Sequence, residues 1–282
     1  MEQALEIRGL TKHYSGFSLE NVTLSLPQGC VMGLIGENGA GKSTTIKLIL
    51  DLVQKDTGEI RVLGKDLAAE GSAFREQLGV VMDECNFPGM MKLGEAGRMM
   101  RMCYRTWDQG RFEQYVKKFA LPMDRYVKDF SRGMKMKLSI AVALSHASRL
   151  LILDEATSGL DPVVRDEILD IFLEFMQDET HSIFISSHIL SDLEKICDYV
   201  TFLHEGRVVF SEEKETLLEK YAVVKCSAAE LAALDPRAVV AKRENSFGVE
   251  ALVLRSRAPE SFVQDPASIE DIMVYYTRFR KA

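Results

Sequence analysis

The stretch "GENGAGKST", Gly36–Thr44, decides how this chain is read. It fits the spacing Gly-x-x-x-x-Gly-Lys-[Ser/Thr]. Its residues are Gly36, Glu37, Asn38, Gly39, Ala40, Gly41, Lys42, Ser43 and Thr44. An apolar run, "CVMGLI", precedes it, and a helical pattern, "KSTTIKLILDLV", follows. The pattern therefore stands between a strand and a helix, the context that its chemistry requires. The glycines let successive backbone N–H groups turn inward on phosphate oxygens. The helix N-terminus adds the positive end of its dipole. Lys42 is expected to reach the outer phosphates of a nucleotide, and the Ser43 hydroxyl to ligate Mg²⁺. The plain alternative is a glycine-rich turn with a chance lysine, and the full pattern in this context argues against it.

Such a loop needs an acidic partner at the end of a neighbouring strand. "LLILDE", Leu150–Glu155, supplies one. Asp154 is expected to hold the Mg²⁺ shell. Glu155 is expected to polarise the attacking water as general base. Two carboxylates that merely cap a strand are the bland reading. It is weaker after four apolar residues in a chain that carries the phosphate loop.

The surrounding pattern is that of an α/β protein. Short strands ("LEIRGL", "FSLENVTLSLPQG", "GEIRVLG") flank the loop. A helical, methionine-rich stretch runs from about Asn86 to Ser148, and its Met90, Met91, Met99, Met100 and Met102 are read as core, with a surface that receives a partner as the alternative. The buried strand "RLLILDEA" follows. Asp161 caps the next helix with Pro162 in its first turn, and Ile168, Ile171, Phe172 and Phe175 form its apolar face. "HSIFISS" is another buried strand, and "YVTFLHEGRVVF" a hairpin turning at Glu205–Gly206. Strands alternating with helices predict a mainly parallel sheet with a helical insert. After about Glu212 the pattern changes to a small α+β unit. It ends on "SIEDIMVYYTRF", where Ser268 and Asp271 make a capping box and Ile269, Ile272, Met273 and Tyr276 share a face.

Bulk properties exclude other classes. The 282 residues are 46% hydrophobic and 27% charged, with a formal net charge of −7. Nothing suggests a polyanion partner. No apolar run reaches the ~18 residues needed to span a bilayer, and the acidic start "MEQALEIRGL" is no secretory signal. Five scattered cysteines suggest reduced thiols rather than a disulfide frame or zinc site.

In this order, the motifs resemble the ATP-binding subunit of an ABC transporter, over about Leu5 to Phe210. "GENGAGKST" is similar to Walker A, and "LLILDEATSGLD" to Walker B running into the D-loop "SGLD". "ISSH" places His188 as the switch histidine. Tyr14, in "TKHYSG", matches the aromatic that stacks on adenine. "DFSRGMK" occupies the place of the family signature, usually L-S-G-G-Q, with Ser131 and Gly133 retained.

The resemblance implies a P-loop NTPase core with an antiparallel β subdomain and a helical insert. The cassette would span residues 1–212, with its helical subdomain at about 86–148 and an accessory α+β domain at 213–282. The cofactors implied are ATP and Mg²⁺. Two cassettes, identical or homologous, would face head to tail, each ATP lying between the P-loop of one and the signature of the other. Closure would drive a separate integral-membrane permease, placing the chain in the cytoplasm at the inner face of the membrane. The C-terminal appendage resembles single-cassette exporters of the ABC-2 type. No nucleic-acid partner is expected. The alternatives are a soluble ABC protein acting on ribosomes or nucleic acid, and a nucleotide-binding regulator without turnover.

Two places depart from the family. Asp83, in "LGVVMDECNF", stands where glutamine is usual. It can meet Mg²⁺ through a water, or simply cap its loop. In the signature, Arg132 replaces the first glycine and Met134 the glutamine. Ser131 can cap the helix that follows. Arg132 can pair with phosphate or with a carboxylate across the interface with the facing cassette, or point into solvent. Tyr14 as a half-exposed aromatic and His188 as a helix cap are the corresponding plain readings.

Overall fold

A computed structural model describes residues 2–245, 248–259 and 262–279. The chain divides into two compact units, Met1–Ser211 and Glu212–Ala282. The strands of the first unit are β1 (Gln3–Tyr14), β2 (Phe17–Pro27), β3 (Val31–Ile35), β4 (Thr57–Val62), β5 (Leu78–Val81), β6 (Leu150–Asp154), β7 (Ser182–Ser187), β8 (Tyr199–His204) and β9 (Arg207–Glu213). Its helices are α1 (Lys42–Ile49), α2 (Ser72–Arg75), α3 (Leu93–Cys103), α4 (Gln109–Lys118), α5 (Arg132–Ala143), α6 (Pro162–Phe175) and α7 (Leu190–Ile196).

The central sheet has the order β5-β6-β7-β3-β8-β9. The pairs β5–β6, β6–β7, β7–β3 and β3–β8 are all parallel. β3, β6 and β7 are buried along their whole length, as continuous apolar runs in a two-sided parallel sheet require. Their carboxyl ends converge on one edge, the usual place for a ligand in such sheets. A second, antiparallel sheet has the order β2-β1-β4. One apolar cluster unites the two sheets, with Leu5, Ile7 and Leu10 from β1 packed with Leu34, Ile152 and Phe184.

α3, α4 and α5 form the helical insert. Met136, in α5, is core at 3% exposed, but the methionines around α3 are not, contrary to the sequence expectation. Met90 is 68% and Met102 82% exposed, and Met91, Met99 and Met100 are half-buried. α3 turns only Leu93, Ala96 and Gly97 inward. The Phe112 ring lies so close over Gly97 that a Cβ there would stand 2.7 Å from it, which leaves no room for longer side chains on that face. On α6, Leu169 joins Ile168, Ile171 and Phe172 in the core. Phe175 is half-buried and stacks on His181 at 4.1 Å.

In the second unit, β10 (Tyr221–Cys226), β11 (Val239–Asn245), β12 (Gly248–Leu254) and β13 (Gln264–Pro266) form an antiparallel sheet ordered β11-β12-β10-β13. Ala222, Val224, Leu234, Ala251 and Val253 are its core. The helices are α8 (Lys214–Lys220), α9 (Ala228–Ala232) and α10 (Ile269–Val274). Ser268 and Asp271 form the predicted capping box. Tyr275, rather than Met273 or Tyr276, completes the buried face of the last helix. The turn after α10 widens to π geometry, and the Tyr276 hydroxyl pairs with that of Tyr221 at 2.8 Å. Among the described residues no helix is long and apolar enough to cross a membrane.

Gly206, in the β8–β9 turn, ties the two sheets of the first unit to the loop after β3. Its carbonyl accepts from the Glu20 N–H at 2.8 Å, and its own N–H donates to the Ala40 carbonyl at 3.1 Å. Its φ is +76°, and a Cβ there would overlap the Ser18 carbonyl oxygen. Both facts require glycine. Gly206→Ala is expected to cost roughly 2–4 kcal/mol of stability. Denaturant unfolding measures this, and an unchanged midpoint would refute the account.

Candidate nucleotide site

The residues after β3 build the site. β3 runs straight into Gly36–Gly41, and α1 starts at Lys42. Gly41 has φ +109°, and a Cβ there would stand 2.9 Å from both Leu19 and Phe17. The loop thus turns back under the β1–β2 hairpin. Lys42 is only 6% exposed. Its Nζ donates to the Gly36 carbonyl at 2.8 Å and lies 3.4 Å from the Glu37 carbonyl. It also stands 3.3 Å from Glu155 Oε1.

β6 and β7 supply the acidic side. Asp154, 2% exposed, accepts from Ser186 Oγ at 2.7 Å and Ser43 Oγ at 3.2 Å on the same oxygen, Oδ1. Glu155 adopts a positive φ of 52°. Its backbone N–H donates to Ser186, reaching Oγ at 3.1 Å. These contacts swing its side chain across to His188, whose Nδ1 lies 2.6 Å from Glu155 Oε2. Lys42 and His188 therefore hold the two oxygens of one carboxylate.

A cavity of about 710 Å³ opens over these groups. The predicted residues Glu37, Asn38, Gly39, Gly41, Lys42, Ser43, Thr44, Asp83, Glu155 and His188 line it. Gly36, Ala40 and Asp154 are buried beneath it. Tyr14 is not in the lining. It is 44% exposed, directly opposite Phe17 across the hairpin, with Lys12 Nζ 5.7 Å from its ring centre. Ser131 and Gly133 do not line the cavity either. Ser131 caps α5, its Oγ accepting from the Met134 N–H at 3.2 Å. Asp83 stays outside the hydrogen bonds around Asp154. Its carboxylate accepts from Arg132 Nη2 at 2.8 Å.

Sequence reasoning missed several members. Phe17, Gly16 and Ser158 line the cavity, and Ser186 holds Asp154; Arg132, which the sequence placed across an interface, lines it too. The signal for Ser186 was two serines closing an otherwise apolar strand, "IFISSH", because hydroxyls at a buried strand end need a partner. Behind His188 lies Asp192, buried at 3%. Burial pushes its carboxyl above the usual range, with Arg165 Nε 3.8 Å away.

The donor set suits Mg²⁺. Ser43 and Asp154 present oxygens only, and Asp154 Oδ1 already gathers two hydroxyls. No cluster of three or more His, Cys, Asp or Glu that could hold a metal occurs among the described residues. A few protein oxygens without a closed cage fit an ion that keeps waters and shares phosphate oxygens.

Comparison with known proteins agrees with this geometry. A family model described as "ABC transporter" matches residues 19–158. The chain is 36% identical over 220 residues to the lantibiotic transport ATP-binding protein SrtF of Streptococcus pyogenes, covering 74% of this chain and 90% of that one. It is 32% identical over 212 residues to the bacitracin transport ATP-binding protein BcrA of Bacillus licheniformis, covering 74% and 69%. A solved ATP-binding subunit of an ABC transporter superposes with a TM-score of 0.69 at 31% identity, over 76% of this chain and 91% of that one. The chain therefore belongs to the ABC transporter family, as an ATP-binding subunit.

Proposed function

We propose that this chain binds and hydrolyses MgATP in the cavity above β3, β6 and β7, as one of two cassettes that power a separate membrane permease. The observation that carries the reading is the carboxylate of Glu155 held between Lys42 at 3.3 Å and His188 at 2.6 Å. This is a base with a cation on one oxygen and an orienting imidazole on the other. Polyphosphate entering the loop competes with Glu155 for the Lys42 ammonium. Lys42 then turns to phosphate, and Glu155, still aligned by His188, is free to take a proton from water. The free N–H groups at the start of α1 would face the phosphates, while that of Ala40 donates to the Glu37 carbonyl at 3.1 Å. Ser43 and Asp154 would hold Mg²⁺, which neutralises phosphate charge when bound.

Tyr14 and Phe17, paired across the β1–β2 hairpin, are assigned to the adenine ring. Ser131 and Gly133, at the capped start of α5, are assigned to the ATP of a facing cassette. Residues 1–212 make up the cassette in this reading and residues 213–282 an accessory domain. Through its permease the chain would sit at the cytoplasmic face of the membrane. Relatives named for lantibiotic and bacitracin transport support a transport role, with export as the proposed direction.

Glu155→Gln keeps the shape of the site and removes the base. Its ATP turnover is expected to fall about 10²- to 10⁴-fold, and ATP should then trap a dimer. Light scattering of the variant with ATP, with ADP and without nucleotide tests this. A monomer under all three conditions would count against the sandwich. The hairpin aromatics give a separate test. Phe17→Ala and Tyr14→Ala should each weaken binding of ATP and ADP alike, by roughly tenfold to a hundredfold where the ring stacks. Calorimetric titration of both variants decides which ring carries the base. Unchanged affinity in both would remove the hairpin from the site.

A further inference from the structure

We propose that Asp83 and Arg132 form an exchangeable ion pair, in which Arg132 rests on Asp83 in the nucleotide-free chain and passes to the terminal phosphate of ATP bound in the same cavity. This rests on the reading of the cavity as the ATP site. The two residues lie 49 positions apart. Asp83 follows the end of β5 and Arg132 opens α5, so the contact joins the central sheet to the helical insert. These are also the two family positions, glutamine and glycine, at which this chain carries charges instead. The charges are opposite and meet at 2.8 Å.

Three features make Arg132 a movable ligand rather than a fixed strut. First, Asp83 and Arg132 line the cavity together with Lys42, Ser43, Glu155 and His188. Secondly, their side chains are 50% and 54% exposed. A pair so open to water holds weakly, and its rupture strands no buried charge. Thirdly, the guanidinium lies flat against the D-loop. A Cβ on Gly159 would stand 3.0 Å from Nη1, 3.1 Å from Cζ and 3.3 Å from Nε. Arg132 is thus aimed along the cavity wall by Asp83 on one side and Gly159 on the other. A phosphate offers the guanidinium a bidentate partner of higher charge than one carboxylate. The two acidic groups at the strand ends are already engaged, Glu155 by Lys42 and His188 and Asp154 by Ser43 and Ser186, while Glu37 lines the cavity on the loop after β3. Asp83 and Arg132 also wall a neighbouring groove of about 400 Å³, with Glu84, Cys85, Lys135 and Met136. Transfer of the arginine therefore changes that groove as well.

The exchange predicts opposite effects for the two residues. Arg132→Gln removes the phosphate ligand. It should weaken binding of the non-hydrolysable analogue adenylyl imidodiphosphate about tenfold, while ADP affinity, which lacks the terminal phosphate, stays within about twofold. Asp83→Asn removes the competitor for Arg132 and should tighten the analogue by a few-fold. The double variant should behave as Arg132→Gln does. Isothermal titration of the full-length chain with Mg²⁺ and each nucleotide, below the concentration at which it dimerises, reads these affinities. Thermal unfolding of each variant checks that it is folded. A purely structural pair would move both single variants in the same direction and would shift analogue and ADP equally; either result overturns the exchange. So would an effect confined to nucleotide-driven dimerisation, which would place Arg132 on the facing subunit's ATP. A wild-type chain that bound neither nucleotide would instead overturn the reading of the cavity itself.

Discussion

Two buried charges organise the cassette unit. Lys42 is 6% and Asp154 2% exposed, and a buried charge is costly unless it is paired and hydrogen-bonded. Each is fully satisfied only with the help of groups brought from elsewhere in the sequence. Lys42 needs the carbonyls of its own loop and a carboxylate that follows β6. Asp154 needs a hydroxyl from α1 and another from β7. The ends of β3, β6 and β7 must therefore meet at one level of the sheet. Their parallel registers, with Asp154 beside Ser186 and Ile35 beside Ser187, deliver this. The requirement also explains why the apolar strands end abruptly in polar residues. Their length is set by where the charges must emerge.

What the sequence made legible follows from the range over which each signal acts. The phosphate loop is a local device of nine residues, so its pattern, its strand and its helix could all be read in place. Asp154 and Glu155 were legible because an unbroken apolar strand ends on them. The caps Ser131, Asp161 and Ser268 were legible too, since capping is decided within three residues. Contacts made across the fold were not. Ser186 supports Asp154 from 32 residues away, and neither residue type announces the other. The methionines around α3 looked apolar and were assigned to the core. Burial there is decided by Phe112 closing on Gly97, a contact between two helices that periodicity within one helix does not reveal. Tyr275 displaced Tyr276 from the last buried face because the helix changes its winding at that point, against the constant period that the reading assumed.

The two departures from the family pattern show the same limit most clearly. Asp83 and Arg132, each taken alone, had several open readings: a metal contact through water, a loop cap, a phosphate ligand, a solvated arginine. Their proximity at 2.8 Å makes them one feature. A charged replacement at either position alone would add an unbalanced charge to a cavity that must accept polyphosphate. Together they leave its net charge as two neutral side chains would.

This balance extends to the whole site. Both cations that line the cavity, Lys42 and Arg132, stand on carboxylates that line it as well, Glu155 and Asp83. An ammonium and a guanidinium facing an empty cavity would repel each other and pull their loops apart. Parked on carboxylates, they keep the cavity formed before any ligand arrives. Preorganisation of this kind lowers the cost of binding, because little must be ordered at that moment. The two pairs differ in one respect that separates their tasks. Lys42 is buried and Glu155 largely so, so on the proposed reading their exchange would be coupled to exclusion of water from the phosphates. Asp83 and Arg132 are half exposed, so theirs would respond to phosphate at the rim and link β5 to α5. On the proposed reading one rule, a cation stored on a carboxylate until a phosphate replaces it, would serve chemistry in the depth of the cavity and conformational response at its edge.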